Sequence, residues 1–183
     1  NQDSGFLIYG AQNGTSPQSM TLRLNGAVDE SGTTTDNGSA DSYIIGDDRP
    51  ESGSDDFLSG SIGEFIVFDS ELNVTQQTIV DNYLSAKYDI PLNEDPNRED
   101  GGAIDVYAGD TNGNGDYDLG VFGVGRESAS DFHAAAETDG LRFEAQSGGL
   151  TDDEYLMAGH RTKENSVNSN DTSTDGSVSG LEA

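Results

Sequence analysis

Cysteine is absent from the 183 residues, which excludes a disulfide scaffold, thiol catalysis and thiolate metal ligation. Tryptophan is absent as well, and positive charge is scarce: 8 basic residues stand against 35 acidic ones, for a formal net charge of −27. Among the basic residues only Lys87 and Lys163 are lysines. A polyanion of this kind is repelled by nucleic acid and by anionic membrane surfaces, so neither is expected as a partner. Acid-rich, lysine-poor composition is expected of proteins from very salty habitats, where screening removes self-repulsion; the alternative is that the carboxylates are calcium ligands and solvated loop residues. No hydrophobic run is long enough to span a membrane, and no signal peptide begins at Asn1, so membrane insertion is not expected and a mature or excised segment is.

What is present reads as β-structure. Hydrophobic residues make up 32% and glycine reaches 24 residues, a balance that predicts thin β-layers joined by many turns. FLIYG (6–10), MTLRLNG (20–26), SYIIG (42–46) and EFIVF (64–68) are short strand candidates between Gly/Ser/Thr/Asp loops. In MTLRLNG, Met20, Leu22 and Leu24 alternate with Thr21, Arg23 and Asn25, which predicts a buried face and a wet one. Residues 29–40 are almost devoid of apolar side chains and predict an exposed loop. NEDPNREDGG (93–102) is a charged Pro/Gly linker that divides the chain into 1–92 and 103–183. Beyond it AIDVYA, LGVFGVGRE, GLRFEAQ and EYLMAGH predict a second set of strands, with 128–137 a short helix or loop and 164–180 a low-complexity polar tract.

The most informative segment is GSIGEFIVFDSELNVTQQTIVDNYLSAKYDIPL (60–92). Ile62, Phe65, Ile66, Val67 and Phe68 predict a core strand bounded by Gly60 and Asp69. Asn73 and Gln76 have the spacing of a capping box. Ile79, Val80, Tyr83, Leu84 and Lys87 then follow at helical spacing up to Pro91. Gly60, Ile62, Glu64, Phe65, Ile66, Leu72, Ile79, Tyr83, Leu84, Lys87, Tyr88 and Ile90 together resemble the closing signature of laminin-G-like, concanavalin A-type lectin domains of secreted bacterial proteins. LRLNGAV (22–28) and YIIGDDR (43–49) are similar to that family's hairpin and an earlier strand.

The resemblance implies a mainly β fold: a partial jelly-roll sandwich with one short C-terminal helix, located extracellularly or on the cell surface. Such domains are longer than 92 residues, so the chain is expected to begin inside the sandwich. VFGVGRE (121–127) and YLMAGHR (155–161) resemble a β-rich domain that follows such lectin-like domains, which implies a second small β-domain that the chain is expected to end within. No biochemical activity follows from that second resemblance.

The sharpest candidate for chemistry is GDTNGNGDYD (109–118). Asp110, Asn112, Asn114, Asp116 and Asp118 place oxygens at alternating positions, with Gly115 permitting a sharp turn, in the order of the first part of an EF-hand loop. These five are the candidate Ca²⁺ ligands. The twelfth position is Val121, so the bidentate glutamate is missing, and Asp105 or a neighbouring strand would have to complete the shell. The alternative is an Asx-rich turn without metal. A second acidic group, Asp47, Asp48, Glu51, Asp55 and Asp56 around Arg49, has some claim to a loop-rim site under the resemblance but reads more simply as a solvated loop.

Enzyme readings find no support: Glu64, Asp69 and Glu71 do not have the carboxylate spacing of a concanavalin-like glycosidase, and Glu64 sits where the lectin-like family keeps a structural glutamate. His133 and His160 lie in separate motifs and predict strand or loop histidines. The glycines of GVFGVG (120–125) predict relief of strand crowding and no phosphate loop. Tyr9, Tyr43 and Tyr117 are the candidates for exposed sugar-stacking rings. Asn13, Asn37, Asn73 and Asn170 head glycosylation sequons, a number close to chance in so Asn-rich a chain.

The expectation is a non-catalytic binding or adhesion module directed toward a carbohydrate or cell-surface glycan and stabilised by calcium. The alternatives are a structural subunit of a surface layer or filament, self-associating through open sheet edges, and an accessory module of a polysaccharide-degrading enzyme.

Overall fold

The computed structural model describes residues 5–13, 19–33, 45, 58–93, 104–111, 117–138, 141–146 and 148–161. They form three small antiparallel sheets and one helix. The first sheet holds β1 (Tyr9–Asn13), β2 (Ser19–Leu24) and β3 (Ala27–Thr33) in sequence order. Asn25 and Gly26 turn the chain between β2 and β3 with φ of 49° and 87°, the left-handed pair that a tight two-residue hairpin requires. The expected strand-turn at LRLNGAV is therefore observed. Asn25 does more than turn: its N–H donates to Ile8 O at 2.8 Å and its side chain accepts from Ile8 N at 2.9 Å.

Helix α1 (Val74–Tyr88) starts at the predicted cap, where the Asn73 side chain accepts from Gln76 N and the Gln76 side chain accepts from Asn73 N. It ends on Asp89 in the left-handed conformation, followed by Pro91. β4 (Leu119–Arg126) lies between β5 (Phe132–His133) and β8 (Glu154–His160), and β6 (Ala135–Thr138) pairs with β7 (Leu141–Glu144). The predicted strands at LGVFGVGRE, GLRFEAQ and EYLMAGH are present. His133 and His160 sit within strands. Phe122 stacks on Phe143 with centroids 4.9 Å apart, joining β4 to the small hairpin.

Several expectations fail, each for a physical reason. Residues 61–68 join none of the three sheets, and Ile62, Phe65, Ile66, Val67 and Phe68 remain 48%, 54%, 39%, 49% and 46% exposed. Composition suits them to a core strand, and a strand also needs a ladder partner within a sheet. The helix buries Thr75, Thr78, Asp81, Asn82, Ser85 and Ala86, while Ile79, Val80, Tyr83 and Leu84 stay half-buried. Its buried face is polar because the chain it meets presents backbone groups that need partners. The buried and wet faces expected of β2 are not distinguished: Arg23 turns inward to pair with Asp81 at 3.0 Å, Met20 is exposed, and Thr21, Leu22 and Leu24 are all half-buried.

The described residues of AIDVYA form no strand; 104–107 is held irregularly and runs into a 3-10 turn at Ala108–Asp110. The predicted loop at 29–40 begins as the exposed end of β3, and the 128–137 segment, expected as a short helix or loop, is a loop over 128–131 that runs into β5 and β6. The strand at 42–46 is described only at Ile45, which is exposed, and the tract 164–180 and Tyr43 lie outside the described residues. The linker 93–102 is described only at Asn93, whose N–H donates to Asn25 O at 2.8 Å.

Among the described residues the core is small and is shared across the two halves of the sequence. Ala86 of α1, Tyr107 and Val121 of β4 form its centre, with Tyr83 and Met157 packed against them. Asn82, 1% exposed, donates to Thr78 O and Ile104 O and accepts from the N–H groups of Val106 and Tyr107, each at 2.7–3.0 Å. At the other end of the helix, Thr75 donates to Asp131 O at 2.8 Å and accepts from Glu127 N at 3.2 Å. The buried polar side chains Asn82 and Thr75 thus have hydrogen-bond partners, which is what makes a polar helix face tolerable in a core.

Candidate functional site

The grip of Asn82 on Val106 and Tyr107 fixes the entry to the Asp/Asn-rich loop. Tyr107 is buried and donates its hydroxyl to Tyr117 O at 2.8 Å, and Tyr117 N donates to Gly109 O at 3.0 Å, so the loop is closed at its base by two hydrogen bonds. Asp110 and Asp118 stand at the two ends of this closed base. Burial pushes the Asp110 carboxyl above its ordinary value, and the charges of Asp105, Asp118 and Asp89 push it further in the same direction. The Tyr107 phenol is pushed up to about 12, first by burial and then by the same Asp110 and Asp118 charges. These carboxylates are thus near enough to repel one another. Among the described residues, however, no three acidic or histidine side chains converge at ligand spacing. Of the five candidate Ca²⁺ ligands the structure places Asp110 and Asp118; Asn112, Asn114 and Asp116 lie outside the described residues.

Beside this loop a shallow cleft of about 470 Å³ runs between 106–109 and β8, lined by Tyr107, Tyr117, Tyr155 and Met157 among others. Tyr117 is 38% exposed, and the Arg161 guanidinium lies 5.8 Å from its ring centroid. Tyr155 directs its hydroxyl to Glu127. Tyr117 was legible as an exposed ring. Tyr107, Tyr155 and Arg161 were not, because strand patterning assigns such tyrosines to a core and nothing in sequence brings Arg161 to position 117. Tyr9 is also exposed, at the edge of the first sheet and apart from the cleft's lining residues.

The other singled-out residues have structural partners. Glu64 accepts from Lys87 Nζ at 2.9 Å and from the Tyr83 hydroxyl at 3.0 Å. Burial pushes its carboxyl up, but the hydrogen bonds from Lys87 and Tyr83 outweigh this and hold it below its usual value. A second polar hollow at Gln12, Glu71, Asn73 and Gln77 is laced by its own hydrogen bonds, Gln77 Nε2 to Gln12 Oε1 at 2.9 Å and Gln12 Nε2 to Glu71 Oε1 at 3.1 Å. The acidic group Asp47, Asp48, Glu51, Asp55 and Asp56 lies outside the described residues. No described helix is long and apolar enough to cross a membrane. Comparison with protein-family models, curated proteins and solved structures finds no match to this chain.

Proposed function

We propose that the chain is a non-catalytic binding module, extracellular or on a cell surface, that takes glycans at the tyrosine-lined cleft and is stabilised by calcium at the adjoining loop. The observation that carries this reading is the cleft of about 470 Å³ lined by Tyr107, Tyr117 and Tyr155, in which Tyr117 is 38% exposed. A sugar's apolar C–H face stacks on an aromatic ring, so a cleft lined by tyrosines suits that ligand class. The donor set at the loop is all oxygen, which fits Ca²⁺; Asp110 and Asp118 would hold it, with Asn112, Asn114 and Asp116, and the ion would relieve the repulsion that raises the Asp110 carboxyl. The resemblance of 60–92 to laminin-G-like, concanavalin A-type domains supports the same reading and supplies the finer fold, a partial jelly-roll sandwich.

A glycan array, followed by calorimetry on any hit, tests the cleft: Tyr117→Ala should abolish binding without lowering the melting temperature appreciably. Silence of the array in calcium-containing buffer would count against glycans. Thermal unfolding in Ca²⁺ and in EGTA tests the loop, and stabilisation by Ca²⁺ should vanish in Asp110→Ala; a wild-type chain indifferent to EGTA would remove calcium from the proposal. A second reading, a structural subunit of a surface assembly, is favoured by one observation: Ile62, Ile66 and Val67 are each more than one-third exposed.

A further inference from the structure

With 35 acidic residues against 8 basic ones, carboxylates outnumber the cations that could pair with them more than fourfold. The described basic residues are Arg23, Lys87, Arg126, Arg142 and Arg161. Four of them form ion pairs: Arg23 with Asp81, Lys87 with Glu64, Arg126 with Asp152, and Arg142 with Glu137 and Glu144. Arg161 differs. It is exposed directly after β8, and among the described residues no carboxylate lies within ion-pair distance of it. Its one described contact is with the Tyr117 ring, whose centroid is 5.8 Å from the guanidinium carbon. A cation–π contact engages the charge of a guanidinium and leaves N–H donors of its planar fork for another acceptor.

Tyr117 is the half-exposed ring of the tyrosine-lined cleft, and its backbone is fixed on both sides. Tyr117 O accepts from the Tyr107 hydroxyl at 2.8 Å, and Tyr117 N donates to Gly109 O at 3.0 Å. An open ring and an unpaired guanidinium are therefore presented together from a preset backbone, which lowers the ordering cost of binding.

We infer that the glycan taken at this cleft is acidic, a uronic acid residue whose carboxylate pairs with Arg161 while its pyranose C–H face stacks on Tyr117. This rests on the glycan reading and deepens it by naming the class of sugar. A pyranuronate carries its carboxylate immediately outside the ring, so acid and apolar face are neighbours in the ligand as guanidinium and phenol ring are in the protein. The fork of a guanidinium matches the two oxygens of a carboxylate, and such charge-assisted pairs are stronger than neutral hydrogen bonds. Everything else about the charge opposes an anion. The chain carries a net −27, and the Asp110 and Asp118 charges act on Tyr107, another residue of the cleft wall. Preference for an acid at this cleft thus depends on Arg161, and its removal should invert that preference, because a neutral sugar escapes the repulsion that an acidic one meets.

Calorimetry of the full chain with a short galacturonate oligomer and with its methyl ester is the test, since the ester keeps the ring and removes the charge. At about 0.15 M salt, where the screening length is about 8 Å, the acid should bind about fivefold more tightly than the ester. Arg161→Gln should invert that order, and Arg161→Lys should retain only part of the preference, because it keeps the charge and loses the fork. Arg142→Gln, in β7 and away from the cleft lining, should leave both affinities as they are, with circular dichroism confirming that all variants are folded. A wild-type chain that binds acid and ester equally overturns the inference, as does an acid preference that survives Arg161→Gln. Binding of neutral glycans with neither galacturonate ligand bound also overturns it and leaves the glycan reading standing; absence of binding to any glycan removes both.

Discussion

Asn82 illustrates how a single side chain can stand in for a strand. Its carboxamide offers two donors and an acceptor with two lone pairs, and all four possibilities are used, on Thr78, Ile104, Val106 and Tyr107. Replacing it with alanine would leave the Val106 and Tyr107 N–H groups buried without partners, so Asn82→Ala should destabilise by about 2–4 kcal/mol, read as a lowered urea midpoint. Asp110 presents the opposite case, a carboxylate whose surroundings oppose its charge. Its folded-state value lies above the unfolded 3.8 because of burial first and Asp105 and Asp118 next. The folded chain then holds the proton more tightly than the unfolded chain. Its contribution to stability is full below pH 3.8 and is lost as pH rises through the higher folded value. Without calcium, Asp110→Asn should therefore be the more stable form at pH 7, by about 0.5 kcal/mol after solvent screening, and the advantage should vanish near pH 3. Urea midpoints at the two pH values measure this; equal midpoints at pH 7 would contradict it.

At the level of elements, the hairpin and the helix were legible because their signals are local. An Asn-Gly pair takes left-handed angles whatever surrounds it, and a capping box satisfies its own N–H groups. The glycines of β4 were read correctly for a similar reason, since close approach leaves no room for a side chain. A Cβ at Gly123 would meet Leu156 O at 2.6 Å, so Gly123→Ala should cost about 1–3 kcal/mol through displacement of β8. Near-unchanged stability would mean that β8 can shift freely. The buried face of α1 was misread, and the exposure of 62–68 was not foreseen, because both depend on what lies opposite. A run such as EFIVF states only that it can be buried; whether it is depends on a neighbouring edge. Thr75, Thr78 and Asn82 look like a solvent face until Ile104–Tyr107 and the 127–132 turn are placed against them.

For the whole molecule, the charge and the slender core act together. Among the described residues the buried apolar core is small and centred on Ala86, Tyr107 and Val121, and the whole chain carries the self-repulsion of 35 acidic residues against only 8 basic ones. Repulsion of this kind is long-ranged and screened by any salt, whereas an ion in the 109–118 loop would be specific. The melting temperature should rise with KCl between roughly 0.1 M and 1 M, where the screening length falls from about 10 Å to about 3 Å. In Asp110→Ala the KCl response should persist while a response to millimolar Ca²⁺ is lost. A melting temperature flat in KCl would show that net charge does not limit stability.

The sequence by itself determined what is local or additive: the acidity, the absence of thiol chemistry, the Asn25–Gly26 turn, the capped helix and most strands of the second half. Each of these follows from the residues' own geometry or from a sum over them. Only the tertiary structure decided which faces are buried. It turned Arg23 inward to Asp81, gave α1 a polar interior face, and assembled Tyr107, Tyr117 and Tyr155 beside the acidic loop from segments 38 residues apart at their nearest. Burial is a property of pairs of surfaces, and one strand of sequence names only half of each pair.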